Sequence, residues 1–236
     1  MDAIEIKNYN NEVSGFFHLH ENDYISYELK NGKIWEPYLH RIFEKYINKE
    51  SVVLEAGCHI GTHSVKLSML SKKLICFEPL KQSNILLKEN LEKNRCDNTI
   101  VYNQALSDEK TTSYFGWVSF NNLGGAGLID NPMGIPNGGN VSEESKYPIE
   151  TITIDSLNLE ELNFIKLDVE GYESKVINGG INTIGKFRPT ITLESWANHS
   201  GLIDVNHTKE MFKNLLDLNY SVQHIGGADW LFLPNP

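Results

Sequence analysis

Residues 52–63 read Val-Val-Leu-Glu-Ala-Gly-Cys-His-Ile-Gly-Thr-His. An apolar run ends in two glycines four positions apart, with the acid Glu55 ahead of the first. Gly57 and Gly61 permit a sharp turn and close approach of the backbone to a ligand, and a helix after such a turn presents unpaired N–H groups to it. Strand, glycine turn and helix in that order form the unit of doubly wound sheets, which bind ligands beyond the carboxyl ends of their strands. The stretch therefore predicts an α/β fold with a cofactor cradle after its first sheet strand.

Working outward, strand-like runs alternate with helical patterns, as a mainly parallel sheet requires. Downstream come a helix over THSVKLSML, a strand over KLICFEP, a helix over SNILLKENLEKN and a strand over TIVYNQAL. A polar, Gly- and Asn-rich stretch from Ser119 to Lys146 is too long for an ordinary connection and reads as a candidate lid or a plain surface insertion. The pattern resumes with a strand in NFIKLDVEG, one helix through SKVINGGINTI, the strand TITLES and a helix over HTKEMFKNLLDLN. YSVQHIGGADWLFLP then predicts a closing antiparallel hairpin around Gly226-Gly227. Upstream, FFHLH, YISYEL and the Asn31-Gly32 turn predict a small hairpin, and EPYLHRIFEKYI a helix with Pro37 near its start. Residues 1–50 are thus read as a small cover and 51–236 as the main domain, one globular unit overall.

The chain has 236 residues, 40% of them hydrophobic, enough for one sizeable core. Its net charge of −10 argues against a nucleic-acid or anionic-membrane surface, which needs clustered Lys and Arg. No apolar run has the length of a membrane span, and nothing near Met1 resembles a signal segment. The odd set Cys58, Cys76 and Cys96 does not suggest a disulfide framework, so a soluble protein of the reducing cytoplasm is expected.

The residues around the glycines discriminate between cofactors. Glu78, at the end of the second strand and about 20 residues past the turn, is placed to accept hydrogen bonds from a ribose diol. A dinucleotide cradle would have a third glycine and a pyrophosphate on the helix N-terminus. Here the third glycine is missing, and Glu55 would repel a pyrophosphate yet could hold an ammonium, directly or through water. S-adenosylmethionine carries that ammonium and no phosphate, so a methyl donor is favoured over NAD.

Together LEAGCHIGTHSVKLS, ICFEPLKQSNILLKENLEKN, VYNQALSD, TIDSLNLEELNFIKLDVEGYESKVINGG and PTITLES resemble the FkbM family of S-adenosylmethionine-dependent methyltransferases, from about Trp35 to the closing LFLP. The resemblance implies a class I methyltransferase (Rossmann-like) fold of seven strands, the last antiparallel. The family's first motif, Asp-x-Gly-Ala-Asn, stands here as Glu55-Ala56-Gly57-Cys58-His59. Carried over residue by residue, Glu55, Gly57, His59 and Gly61 would hold the methionine part and Glu78 the ribose. Ala105, Leu106 and Ser107 would lie at the adenine edge, with Asp108 capping its own loop, and Asp168 would also touch the donor.

Methyl transfer to an alcohol needs the acceptor aligned with the sulfonium methyl and a group to take its proton. Asp168 and Glu170 leave the fourth strand and Glu194 the fifth, so three carboxylates converge on the acceptor side. One acts as general base, or Asp168 and Glu194 bind Mg²⁺, as in some other O-methyltransferases of this fold. His199 is a further candidate base, while His59 and His63 lack the partners of a zinc set. His18 and His20 are read as the polar face of an edge strand, and Trp117, Trp196 and Trp230 as sugar-stacking or core rings. The expected activity is O-methylation of a small acceptor, with a sugar hydroxyl of a glycan or glycosylated metabolite first. The alternatives are O- or N-methylation of a polyketide or peptide product, and an inactive nucleotide-binding module.

Overall fold

A computed structural model describes residues 3–7, 13–119, 121–129, 147–195 and 205–236. The chain opens with an antiparallel ribbon of β1 (Ile4–Lys7) and β2 (Val13–Phe17), then helices α1 (Tyr24–Lys30) and α2 (Pro37–Tyr46). There follow β3 (Val52–Ala56), α3 (Ser64–Leu70), β4 (Lys73–Phe77), α4 (Lys81–Lys93), β5 (Thr99–Tyr102), β6 (Ala105–Leu106), β7 (Thr112–Ser119), β8 (Asn122–Ile129) and β9 (Ile149–Ile152). The rest comprises β10 (Phe164–Leu167), α5 (Glu173–Asn178), α6 (Ile181–Phe187), β11 (Thr190–Glu194), α7 (Val205–Asp217), β12 (Tyr220–Gly226) and β13 (Asp229–Pro234).

The central sheet has the order β12-β13-β11-β10-β3-β4-β5, and β13 alone runs against its neighbours. This is the expected mainly parallel sheet with its closing antiparallel hairpin. β3 and β10 are buried along their whole length because helices cover both faces. One face packs Val53, Cys76 and Phe164 against α2, α3 and the opening segment through Leu39, Phe43, Val65 and Leu67. The other packs Leu54, Ile165 and Ile191 against Val176, Ile184, Met211 and Leu215. Trp230 sits at the margin of this second layer, edge-on to Phe212. Cys58, Cys76 and Cys96 are buried free thiols. Among the described residues no helix is long and apolar enough to cross a membrane.

Four expectations are corrected. YISYELK is the helix α1, not half of a hairpin: Asp23 caps it by accepting from Ser26 N at 2.9 Å, and Asn31 closes it. Tyrosine and isoleucine suit strands, but Ile25, Ser26 and Leu29 share one buried helical face, and that burial decides. His18 and His20 follow β2 rather than lying in it, and His20 Nε2 meets Ser83 Oγ at 3.2 Å. TIVYNQAL splits after Tyr102, and β6 joins a second sheet, β6-β9-β7-β8, by pairing with β9. The helix through SKVINGGINTI is two helices. A Cβ on Gly179 would lie 1.9 Å from Ser107 O, so the loop after β6 occupies the break.

The stretch from Ser119 to Lys146 is not all loop. Its first part forms β8, whose glycines disguise a strand; a Cβ on Gly124 would stand 2.9 Å from Ile25 Cδ1, so α1 needs the space. Asp23 fastens this hairpin to the opening segment, accepting from Leu123 N at 2.9 Å, while Tyr24 N donates to Asn121 O at 2.9 Å. The remainder of that stretch, 130–146, lies outside the described residues, as do His199 and Trp196; of Trp117 only the backbone is described.

Candidate functional site

Beyond the carboxyl ends of β3, β4 and β10 lies a cavity of about 740 Å³, part of it open to solvent. Of the expected site residues it brings together Gly57, His59, Glu78, Ala105, Leu106, Asp168 and Glu170. Leu123, Gly124, Ala126 and Leu128 of β8 cover it, with Ile25 and Trp35 from the opening segment. Glu55, Gly61, Ser107 and Glu194 do not line it.

The cradle turn is built on left-handed backbone, with φ of +80° at Gly57, +49° at His59 and +90° at Gly61. Gly57 N donates to Phe77 O at 3.0 Å and Asp168 N to Ala56 O at 3.0 Å, so the ends of β3, β4 and β10 meet at this glycine. Glu78 is buried and accepts from His59 N at 2.7 Å and from Leu80 N at 2.8 Å. Those bonds fix the carboxylate at the cavity wall and leave each oxygen a second lone pair. The His59 ring is buried beside His20, its centroid 5.4 Å away, and Asp23 Oδ1 is 3.8 Å from Nε2, too far for a hydrogen bond. Among the described residues neither ring nitrogen has a hydrogen-bond partner, and His59 lines the cavity.

Glu55 lies inside β3 and is buried there. Its Oε2 accepts from Ser64 Oγ at 2.6 Å, and its register partner on β10 is Lys166. Glu55 does not line the cavity, and the carboxylate that does so near Gly57 is Asp168. Ser107 is also turned away, its N donating to Ile152 O and its Oγ to Asp108 Oδ1.

On the acceptor side, ligand oxygens of Asp168, Glu170 and Glu194 lie within 4.8 Å of one another. Lys166, buried within β10, donates from Nζ to Asp168 Oδ2 at 3.0 Å. Burial alone would raise Asp168, but the Lys166 ammonium and the Glu194 hydrogen bond hold it below its ordinary value. Its neighbours respond oppositely. Burial, aided by the Asp168 charge, pushes Glu194 up to about 10 and Glu170 to about 8. At neutral pH the trio thus holds one fixed anion, Asp168, with a protonated Glu194 donating to it. Lys166 keeps its proton despite burial because Asp168, Glu55 and Glu36 surround it.

Sequence reasoning missed a second tier. Glu36 Oε2 meets His63 Nε2 at 3.0 Å, and Tyr38 donates to Asp229 Oδ2 at 2.5 Å, tying the start of α2 to β13 beside Glu194. Lys166 carried a legible signal: a lone charge inside the apolar run FIKL has to be paired when the strand is buried. Glu36, Tyr38 and Asp229 carried none, since only the tertiary fold brings them together.

These burials set a pH dependence. Glu36, Glu55, Glu78 and Glu173 are raised to about 7 by burial, besides Glu170 and Glu194. Acids with raised folded values bind more protons folded than unfolded, so the stability they contribute is complete below about 4.5 and is lost as pH rises. Half-buried His40 and buried His59, lowered to about 3 and 4, act oppositely, but only below their ordinary 6.5. The acids are therefore unopposed above pH 6.5. The ligand-free melting temperature is expected to fall from pH 6.5 to 8.5; a flat or rising profile in calorimetric scans would refute this arrangement of charges.

The model of the methyltransferase FkbM domain matches residues 55–222. A 2-O-methyltransferase, NoeI of Sinorhizobium fredii, is 28% identical over 172 residues, 64% of this chain and 66% of that protein. The crystal structure of a methyltransferase FkbM from Methylobacillus flagellatus superposes with a TM-score of 0.51 at 17% identity, over 78% of this chain and 43% of that one. The chain thus spans just under two thirds of the first relative and less than half of the second. The likeness to the solved structure extends to the fold, a class I methyltransferase sheet.

Proposed function

The chain belongs to the FkbM methyltransferase family, and from that premise we propose that it is an S-adenosylmethionine-dependent O-methyltransferase whose acceptor is a sugar hydroxyl of a glycan or glycosylated metabolite. The observation that carries the donor is the cavity joining Gly57, Glu78 and Asp168. Glu78 accepts from the ribose diol, Ala105 and Leu106 with Leu128 supply apolar walls for the adenine, and Asp168 faces the ammonium end. The donor supplies an electrophilic methyl on a sulfonium. The chain's own task is to exclude water, through β8 and Trp35, and to take the acceptor's proton.

Asp168 is the base this geometry favours, because it is the ionised member of the acceptor-side trio. Glu194, protonated at neutral pH, orients Asp168 by donating a hydrogen bond to it. The three clustered oxygens would suit Mg²⁺ in number, but the Lys166 ammonium already meets Asp168. No step is therefore routed through a metal. The similarity to the Sinorhizobium 2-O-methyltransferase supports transfer to oxygen. We place the reaction in the cytoplasm, on a soluble acceptor and without nucleic acid.

Calorimetry tests the donor. S-adenosylmethionine or its demethylated product should bind, with NAD and ATP far weaker, and tight NAD binding without sulfonium binding would end this reading. Glu78→Ala should lose a charge-assisted pair of about 1.5–3 kcal/mol, about 10- to 150-fold in donor affinity. Unchanged affinity in the folded variant would remove Glu78 from the site.

A further inference from the structure

A second hollow lies beside the cavity, an open groove lined by Glu21, Asn22, Tyr24, Tyr27, Lys30 and Asn121. Its aromatic rings are presented to solvent: Tyr24 is 53% exposed and Tyr27 62%. They stand three residues apart on α1, hence on neighbouring turns of one face. The groove is firmly built. Asp23, buried beneath it, accepts from both Ser26 N and Leu123 N, and Tyr24 N donates to Asn121 O, so α1 and the β7–β8 tip hold one geometry.

One ring contact links the groove to the donor cavity. The Tyr24 ring stands edge-on to Trp35, centroids 5.9 Å apart, and Trp35 lines the cavity. Tyr27 and Tyr24 on α1 are thus followed by Trp35 in the cavity wall. The amides of Asn22 and Asn121, the Glu21 carboxylate and the Lys30 ammonium line the groove, a balance of charge and a mixture of groups that suit an uncharged ligand with apolar ring faces and hydroxyl edges. One helical turn brings the two tyrosines about 5–6 Å apart at Cβ, comparable with the step between successive pyranose rings.

We propose that this groove is an acceptor subsite for an uncharged oligosaccharide, whose outer residues stack on Tyr24 and Tyr27 while the terminal sugar passes Trp35 to reach Asp168. The inference rests on the sugar-acceptor reading and adds to it that the substrate is a chain of sugars, held mainly away from the reacting hydroxyl. The chain's net charge of −10 disfavours an anionic polysaccharide.

The test measures binding and methylation of linear glucose, mannose, rhamnose and N-acetylglucosamine oligosaccharides of one to five units, with the demethylated donor present in the binding arm. At least one pentasaccharide should bind more tightly than its monosaccharide and be methylated with a lower KM. Tyr27→Ala, at an exposed ring that can be removed without disturbing the core, should weaken that pentasaccharide by about 2- to 12-fold. Monosaccharide and donor affinities should stay at the wild-type level, a pattern that a general loss of structure would not produce. If monosaccharides bind and react as well as pentasaccharides, or if Tyr27→Ala leaves pentasaccharide affinity unchanged, the subsite is refuted while the sugar reading stands. If no sugar of any length binds or reacts, both fall.

Discussion

Asp168→Asn is expected to slow methyl transfer by about 10²- to 10⁴-fold, the range for loss of a general base, whereas Glu194→Gln should retain turnover within about tenfold. The asymmetry follows from protonation. Lys166 Nζ lies 3.0 Å from Asp168 Oδ2 and keeps that carboxylate ionised, while Glu194 is raised to about 10 and donates to it. Glutamine preserves the shape and the donor of a protonated glutamate, so little changes at position 194. Asparagine at 168 removes the proton acceptor and leaves Lys166 facing a neutral amide. The measurement is single-turnover transfer to a sugar acceptor, with donor affinity determined in parallel because Asp168 also faces the donor. Chelator and added Mg²⁺ provide the control: turnover that vanishes with chelator and returns with Mg²⁺ would overturn the metal-free base assignment. Full activity in Asp168→Asn would exclude Asp168 altogether.

Gly57→Ala should destabilise the protein by about 4 kcal/mol or more, a loss seen only where a substitution breaks something specific. A methyl group there would lie 1.6 Å from the carbonyl oxygen of Asp168, and the residue sits at φ +80°. Two packed strand ends would have to separate. Gly32→Ala is the matched control, because Gly32 has φ +73° and no atom of the described residues lies within 4 Å of an added Cβ. It should cost only the left-handed backbone penalty, about 1–2 kcal/mol. Urea unfolding distinguishes them, and equal midpoints would show that strand packing at the cradle is not the reason for the glycine. In whatever fraction of Gly57→Ala still folds, donor affinity should also fall, since Asp168 and the cradle move together.

The closing hairpin, the parallel strands and the glycine cradle were legible in the sequence because each rests on a local pattern. Apolar runs such as VVL and FIKL mark doubly covered strands, and a glycine pair after a strand marks a turn whichever helix packs beside it. Glu78 was legible for the same reason, its distance from the turn being set by one strand and one helix. YISYELK misled because β-branched and aromatic residues suit strands, while its buried face could be recognised only against the core that buries it. The strand Asn122–Ile129 was hidden by glycines that exist to let α1 approach.

At the site, the sequence determined which strand ends carry acids. It did not determine which acid faces the ligand or which holds a proton. Glu55 and Asp168 look equivalent as carboxylates near the ends of neighbouring strands, yet Glu55 lies level with Lys166 inside the sheet and meets Ser64, while Asp168, two residues further along and just past β10, stands in the cavity wall. Asp168, Glu170 and Glu194 likewise read as three equal candidates. Only packing makes Asp168 the anion, because the charge of a buried carboxylate is fixed by its distance to an ammonium and to other carboxylates, and those distances are set by the contact of β3, β10, β11 and α2 rather than by any spacing along the chain.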